Sequence, residues 1–330
     1  MPQPRWTPDS LADRLPFLRR RARLTKEVRA FFKNRGYTEV ETPYAVPSPG
    51  EEVHLRAFRT EREWPDGTRQ ALALHTSPEF AMKRLLVAGA GPIFQLARTW
   101  RNGEASDLHA PEFTMLEWYR PGMTLPELMD ETELLLRAVL PPAVTSRGVT
   151  TDLSRFERLS MQDAFAPADL LGTAEDAPAL ARGAGAVLRP GETWEDLFFR
   201  LLLERVEGRI GRAHPTFLHG WPVAQAALAR RDPVDGRAAL RFELFVCGME
   251  LANAFEELTD AAEQRARFMA DRARRQALYG AAPAWEWPLD EDFLRALAHG
   301  MPPCSGIAMG FDRLAMLAAG ADRIDQVVWL

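Results

Sequence analysis

Cysteine is nearly absent, with Cys247 and Cys304 the two such residues in a chain of 330. They lie far apart, form no CxxC pair and have no His-rich partner segment. That excludes a disulfide framework and a cysteine-built zinc site, and leaves both as small buried residues. Long apolar runs are also missing, since none approaches the ~18 residues needed to span a bilayer. The N-terminus, Met1-Pro2-Gln3-Pro4-Arg5-Trp6, lacks the apolar core of a signal peptide. The expectation is a cytoplasmic chain with no membrane partner. A positive charge excess is absent as well: the net charge of −5 argues against a surface built mainly to wrap nucleic acid, while leaving room for a local basic patch. The glycine patterns of Rossmann and P-loop folds do not occur, so those nucleotide-binding folds have no support. What is present is 46% hydrophobic and 26% charged residues, the composition of an ordered globular chain long enough for one large core or two smaller ones.

The chemistry concentrates around Arg101. Ile93 to Trp100 is apolar and β-prone, whereas Glu112 to Tyr119 mixes aromatic and charged residues with period two, which puts Glu117 and Tyr119 on one face. A carboxylate and a phenol on one face suggest the wall of a polar pocket. The connection from Gly103 to Pro111 is too long for a tight hairpin and carries His109, as binding loops do. The plainer alternative is an exposed hairpin with incidental charges.

Upstream, Arg19-Arg20-Arg21-Ala22-Arg23 leads into Leu24, Val28, Phe31 and Phe32 at helical spacing, closed by Gly36. The arginines read as a solvated helix face, with docking of an acidic partner as the alternative. Gly36 to Pro43 reads as a strand. Ala71-Leu72-Ala73-Leu74 is a short strand candidate, followed by Ser77 as N-cap, Pro78 at the first helical position and Glu79 in the first turn. These three residues serve either to start the helix or also to touch a substrate. Leu125 to Val139 is helical by spacing and Pro141-Pro142 ends it. From Leu153 to His214 no chemical signature occurs, and Trp194 to Ile210 is strongly helical in pattern. Pro215 to Pro222 is a strand candidate.

Arg241 to Asn253 reads as a hairpin turning at Cys247-Gly248. If Val246 pairs with Met249, Phe245 faces Glu250 and Glu243 becomes the diagonal neighbour of Glu250. Two adjacent carboxylates repel unless a cation or a shared proton relieves them, so a divalent metal is the economical reading, with two solvent-facing acids as the alternative. Strict alternation sends Asn253 and Glu257 away from the Glu250 face, and their use at the same site requires a bulge that the sequence does not reveal. Near the C-terminus, Ser305 to Leu314 is a glycine-containing strand entering a helix, with Asp312 as cap and Arg313 in the first turn, a good place for a triphosphate.

Taken together, Arg101-Asn102 with His109 and Pro111-Glu112-Phe113-Thr114-Met115 resembles motif 2 of the class II aminoacyl-tRNA synthetases in their lysyl branch. The helix and strand ending at Pro43 resemble motif 1, which in that family builds a dimer interface. Ser305 to Leu314 resembles motif 3. The pieces cover nearly the whole chain from Arg29 to Leu317 in family order. The resemblance is closest to the lysyl-tRNA synthetase paralogues that modify elongation factor P. Gly248 to Asn253 is nearer to their wording, Ala308 stands where synthetases usually carry glycine, and no room precedes motif 1 for a roughly 100-residue anticodon-binding barrel.

The implied fold is α+β: one class II catalytic domain over residues 1–330, a mostly antiparallel sheet flanked by helices, with a helical insertion at approximately 153–214 and no anticodon-binding domain. The resemblance implies an ATP-dependent ligase that activates lysine or (R)-β-lysine as an adenylate and transfers it to a lysine of elongation factor P, working as a homodimer through the motif 1 region. Arg101 and Arg313 would be catalytic. Asn102, Gly103, His109, Ala110, Glu243, Leu244 and Gly310 would join them around ATP, and Glu243 and Glu250 would hold Mg²⁺. Ser77, Pro78, Glu79, Glu117, Tyr119, Glu250, Asn253, Glu257 and Ala308 would line the amino-acid pocket. tRNA charging and a catalytically inactive binding protein remain the alternatives. The sequence departs from the family where Arg-Asn-Glu becomes Arg101-Asn102-Gly103, with Glu104 a one-residue shift away. It departs again at Leu108, which supplies no charge where lysyl-tRNA synthetases place a second arginine.

Overall fold

The computed structural model describes residues 5–226, 228–280 and 287–329; Met1 to Pro4 of the N-terminal reading lie outside them. The chain divides into two compact units, one made of 1–123 with 259–330 and the other of 124–258.

The first unit opens with α1 (Pro8–Lys33), then β1 (Thr38–Glu39), β2 (Ala45–Val46), β3 (Arg59–Glu63), β4 (Arg69–Leu74), α2 (Glu79–Val87), β5 (Ile93–Trp100) and β6 (Glu112–Pro121). The second unit holds α3 (Leu125–Val139), β7 (Ala143–Ser146), β8 (Val149–Asp152), β9 (Glu157–Ser160), α4 (Met161–Ala164), α5 (Ala177–Gly183) and α6 (Trp194–Leu201). It continues through a π-helical turn at Leu202–Glu207 into β10 (Thr216–Pro222), β11 (Ala238–Val246) and β12 (Met249–Glu256). The chain then adds α7 (Ala261–Tyr279), α8 (Glu291–Gly300), β13 (Cys304–Gly310) and α9 (Phe311–Ala319) to the first unit.

In the first unit the strand order is β1-β5-β6-β13, with β1 parallel to β5 and β6 antiparallel to both of its neighbours. A small sheet orders β2-β4-β3. Helix α1 buries Leu18, Leu24, Val28, Phe31 and Phe32 along one stripe, and Phe32 stacks on Phe94 of β5 at 4.7 Å between ring centroids. In the second unit the order is β12-β11-β10-β9, with β9 parallel to β10 and the remaining pairs antiparallel; β7 and β8 form a separate hairpin. Met161, Phe165, Phe198 and Trp221 anchor its helical core. The class is α+β, with mostly antiparallel strands flanked by helices.

Several local expectations need correction. Helix α1 begins at Pro8, with Thr7 as its cap and Pro16 inside it, well before the arginine cluster; Leu11, Leu15 and Leu18 stand at helical spacing there, and Pro16 interrupts the pattern. Arg21 is not solvated. It is 7% exposed, paired with Asp312, and donates to the Thr114 hydroxyl at 3.0 Å. Asp312 is therefore no helix cap: Gly310 occupies that position, while the Asp312 carboxylate accepts from the Thr114 amide at 2.7 Å. Asn34, not Gly36, caps the end of α1. Only Thr38 and Glu39 of the Gly36-to-Pro43 stretch pair as a strand. The segment expected as a helical insertion opens with a strand, β9, paired to β10. Both cysteines are buried as expected.

Candidate active site

In the first unit, the registers of β5, β6 and β13 fix one polar face. Glu117 of β6 stands opposite Gln95 of β5 and Ala308 of β13, and Tyr119 stands opposite Gly306. Period-two spacing puts Glu117 and Tyr119 side by side, and the Tyr119 hydroxyl donates to the carboxylate at 2.6 Å. Ser77 reaches the same carboxylate, donating at 2.8 Å. Helix α2 starts one residue later than the sequence suggests, with Pro78 at the cap position, yet the Ser77 hydroxyl still accepts from the Glu79 amide at 3.1 Å. One turn on, Lys83 pairs with Glu79 at 2.5 Å and is 1% exposed. Glu117 is 1% exposed, and its carboxyl is pushed up to about 8, first by burial and then by the Glu79 charge. Ser77, Glu79, Glu117, Tyr119 and Ala308 thus gather as the sequence leads one to expect. The pocket they form disfavours bare negative charge and rewards an incoming cation.

The connection after β5 carries the second half of this unit's chemistry. Arg101 lies over the Phe113 ring at 5.2 Å and is 3.8 Å from Glu104, so Glu104 engages the arginine it follows. The Arg101 Nε–H is buried without a hydrogen-bond partner, a donor that an acceptor such as a phosphate oxygen would satisfy. Gly103 has φ +89, and a Cβ there would come within 2.2 Å of Arg56 Nη2; the Asn102 amide donates to the Arg56 carbonyl at 2.7 Å. A side chain at 103 would be strained by the positive φ and would require the Arg56 guanidinium to move aside. His109 follows, with Ala110 half-buried behind it. The Arg313 guanidinium lies 2.6 Å from His109 Nε2 and Ser106 Oγ 2.8 Å from Nδ1. A guanidinium only donates, so Nε2 accepts and Nδ1 holds the proton toward Ser106. His109 in this arrangement orients Arg313 and adds no charge of its own. Gly310, at the cap of α9, precedes Arg313.

In the second unit, Val246 pairs with Met249 and Phe245 with Glu250 across the turn at Cys247-Gly248, as expected. Beyond it the register shifts, so that Leu244 pairs with Ala252 and Glu243 with Asn253. Leu251 is the extra residue. This β-bulge reverses the parity of everything after it and brings Asn253 to the face of Glu243. Phe255 then opposes Arg241, and Glu257, two residues beyond, is 2% exposed. Arg241 organises the face, donating to Glu243 at 2.6 Å and to Asn253 at 3.1 Å while lying over the Trp221 ring at 3.9 Å. Glu243 is 8% exposed, and burial followed by the Glu250 charge pushes its carboxyl up to about 8, with Glu207 adding to the effect. Glu250 is exposed at the rim. Leu244 is fully buried and can offer only its backbone.

The second-unit acids fit a hard divalent cation. They supply carboxylate oxygens, and their ionised forms repel one another until a cation is near. Among the described residues no group of three or more His, Cys, Asp or Glu that could hold a metal ion is found; magnesium characteristically takes one or two protein carboxylates and leaves its other positions to substrate phosphates.

Sequence reading did not single out Lys83, Arg56, Gln95, Arg241 or Glu207. The i,i+4 relation of Lys83 to Glu79 and the i,i+2 relation of Arg241 to Glu243 were available as signals. Arg56 and Gln95 reach their neighbours through tertiary structure alone.

Comparison with known proteins bears on this arrangement. The family described as tRNA synthetases class II (D, K and N) matches residues 12–330. The chain is 42% identical over 332 residues to the elongation factor P–(R)-β-lysine ligase of Proteus mirabilis, covering 98% of this chain and 96% of that protein. It is also 42% identical over 319 residues to the Vibrio cholerae protein of the same name, covering 94% and 93%.

Proposed function

We propose, from the premise that the chain belongs to the class II tRNA synthetase family, that it is an ATP-dependent ligase activating (R)-β-lysine or lysine and passing it to a lysine side chain of elongation factor P. The observation that carries the reading is the Ser77–Glu79–Glu117–Tyr119 cluster, where buried Glu117 beside the part-buried Glu79 suits a substrate ammonium. Relatives that share the name of this activity along nearly their full length support the choice of acceptor.

The reaction has two steps. The substrate carboxylate attacks the α-phosphorus of ATP and expels pyrophosphate, giving an aminoacyl adenylate; an acceptor amine then attacks the acyl carbon and expels AMP. Negative charge on the phosphoryl oxygens is met by the Nε–H of Arg101 and by the guanidinium of Arg313, which His109 holds in place. Glu79, Glu117 and Tyr119 orient one ammonium group, and Glu257 with Asn253 supplies the polar contacts assigned to the other. Glu243 and Glu250 would hold magnesium, which supplies charge neutralisation on the nucleotide phosphates when bound. Arg241 keeps the Glu243 carboxylate oriented for that task. Asn102, Gly103, Ala110, Leu244 and Gly310 are assigned to the nucleotide by position, Pro78 and Ala308 to the wall of the amino-acid pocket. The cytoplasm and a homodimer through the α1 and β1 region complete the proposal.

ATP–pyrophosphate exchange tests the first step. Exchange should depend on lysine or (R)-β-lysine and should fall by about 100-fold or more in Arg313→Ala and in Glu250→Ala, with circular dichroism unchanged. Near-normal exchange in either variant contradicts the site assignment.

A further inference from the structure

The stretch 47–58, between β2 and β3 of the first unit, carries an acid that the site as described leaves unassigned. Backbone hydrogen bonds tie this stretch to both sides of the first-unit site. Near its start, the Pro49 carbonyl accepts from the Thr76 hydroxyl at 2.9 Å, and Thr76 immediately precedes the Ser77-Pro78-Glu79 segment. Near its end, the Arg56 carbonyl accepts from the Asn102 amide at 2.7 Å, next to Arg101. The middle is fixed by Trp287, which donates from Nε1 to the Gly50 carbonyl at 2.7 Å, and by Arg275 of α7, which donates to the Glu52 carbonyl at 3.4 Å.

The two acids of this stretch have different surroundings. Glu51 is 2% exposed and is taken up by α7, with Arg272 at 3.1 Å and Arg275 at 3.2 Å. The Glu52 carboxylate instead folds back over Gly50: a Cβ at Gly50 would stand 2.3 Å from Glu52 Oε2 and 3.0 Å from the Thr76 hydroxyl. Gly50 has φ +150, so the backbone and the returning carboxylate both favour glycine there. The Glu52 carboxylate accepts from its own backbone amide, and Glu79, Arg101 and Arg275 are its charged neighbours; burial and then the Glu79 charge raise its carboxyl above the usual range. Two carboxylates that share a desolvated site repel one another unless a cation relieves them. Lys83 already pairs with Glu79, whereas Glu52 has no ammonium of its own. Because Arg101 is also a neighbour of Glu52, a cation placed between Glu52 and Glu79 stands close to the place where the substrate carboxylate meets the α-phosphate. An amine on the first or second carbon beyond that carboxylate meets the requirement, and the distal amine of a lysine-type chain does not.

We propose that Glu52 is a specificity-determining residue of this site: with Glu79 it binds the substrate ammonium nearest the reacting carboxylate, so that a substrate without an amine there is rejected. The assignment deepens the ligase reading and rests on it.

The test is pyrophosphate exchange by the full chain with lysine, (R)-β-lysine and ε-aminocaproate, which keeps the carboxylate and the distal amine but lacks the near one. The wild type should have a higher kcat/KM for the better diamino acid than for ε-aminocaproate. In Glu52→Gln the ratio of these two values should fall by about tenfold or more, the scale of one charge-assisted hydrogen bond. The fall should come from a raised KM for the diamino acid, with the KM for ATP and the circular dichroism unchanged, since Gln has the shape of the neutral acid that burial already favours. Glu52→Asp, which keeps the charge on a shorter stem, should give a ratio between those of the wild type and Glu52→Gln. A purely structural role would lower exchange with all three substrates alike and leave the ratio where it was. An unchanged ratio in both variants, or an equal loss with all three substrates, overturns the assignment and leaves the ligase reading intact. Absence of wild-type exchange with either diamino acid overturns that reading and the assignment with it.

Discussion

At the scale of single residues, the account turns on two buried carboxyls and one glycine. Glu117 and Glu243 are each raised to about 8 from an ordinary value of 4.5. Below the lower value both are protonated in folded and unfolded chains alike. Between about 4.5 and 8 the unfolded chain has released these protons and the folded chain retains them, so stability falls as pH rises through that window. The melting temperature without ligands should be lower at pH 8 than at pH 5, and Glu117→Gln and Glu243→Gln should each make the decline shallower. An unchanged slope in both variants would contradict the burial argument. Gly103 gives a second prediction. Because Arg56 fills the space beside it, Gly103→Glu should weaken ATP binding, and adding Arg56→Ser should recover part of the loss. Isothermal titration checks both, and no recovery would show that backbone strain alone governs position 103.

At the scale of elements, helix α1 is tied to the rest of its unit by the buried Arg21–Asp312 pair. Arg21→Met should lower stability by about 3–5 kcal/mol, because it leaves the Asp312 carboxylate buried without its cation. Replacing both partners with apolar residues should cost less than the single change. Urea unfolding followed by fluorescence separates the two outcomes. The pair also shows where sequence reasoning stops: Arg21 and Asp312 are 291 positions apart, and a run of arginines on a helix looks solvated until the tertiary contact is known. The β11–β12 hairpin teaches the same lesson in another form. Its turn at Cys247-Gly248 and the Val246–Met249 pairing followed from local pattern, but the bulge at Leu251 did not, since an inserted residue has no composition of its own. Deletion of Leu251 should leave Asn253 opposite Glu243 in a regular ladder and retain pyrophosphate exchange, with strand content preserved by circular dichroism. Lost exchange with strand content preserved would show that the bulge itself, and not the face on which Asn253 stands, sets the site.

At the scale of the whole molecule, the α+β class and the order of the strands and helices bearing the site were legible, because periodicity, prolines and glycines mark them locally. The Glu117–Tyr119 face was legible as well, since period two suffices to align it, whereas the place of Ser77 and Glu79 beside it followed only from the family resemblance. The charge partners that finish each half, Arg56, Lys83, Arg241 and Glu207, depend on register and packing and came from the structure. Both halves present acids, which the proposed function assigns in one unit to a substrate ammonium and in the other to the metal that accompanies ATP. The central claim is therefore transfer of a lysine-type substrate to a protein amine at the expense of ATP. The most direct measurement is the intact mass of purified elongation factor P after incubation with the enzyme, ATP, magnesium and (R)-β-lysine, beside a parallel incubation with tRNA. The account predicts that elongation factor P gains the mass of one β-lysyl group, only with ATP present, while tRNA stays uncharged. An unmodified elongation factor P together with an aminoacylated tRNA would contradict it.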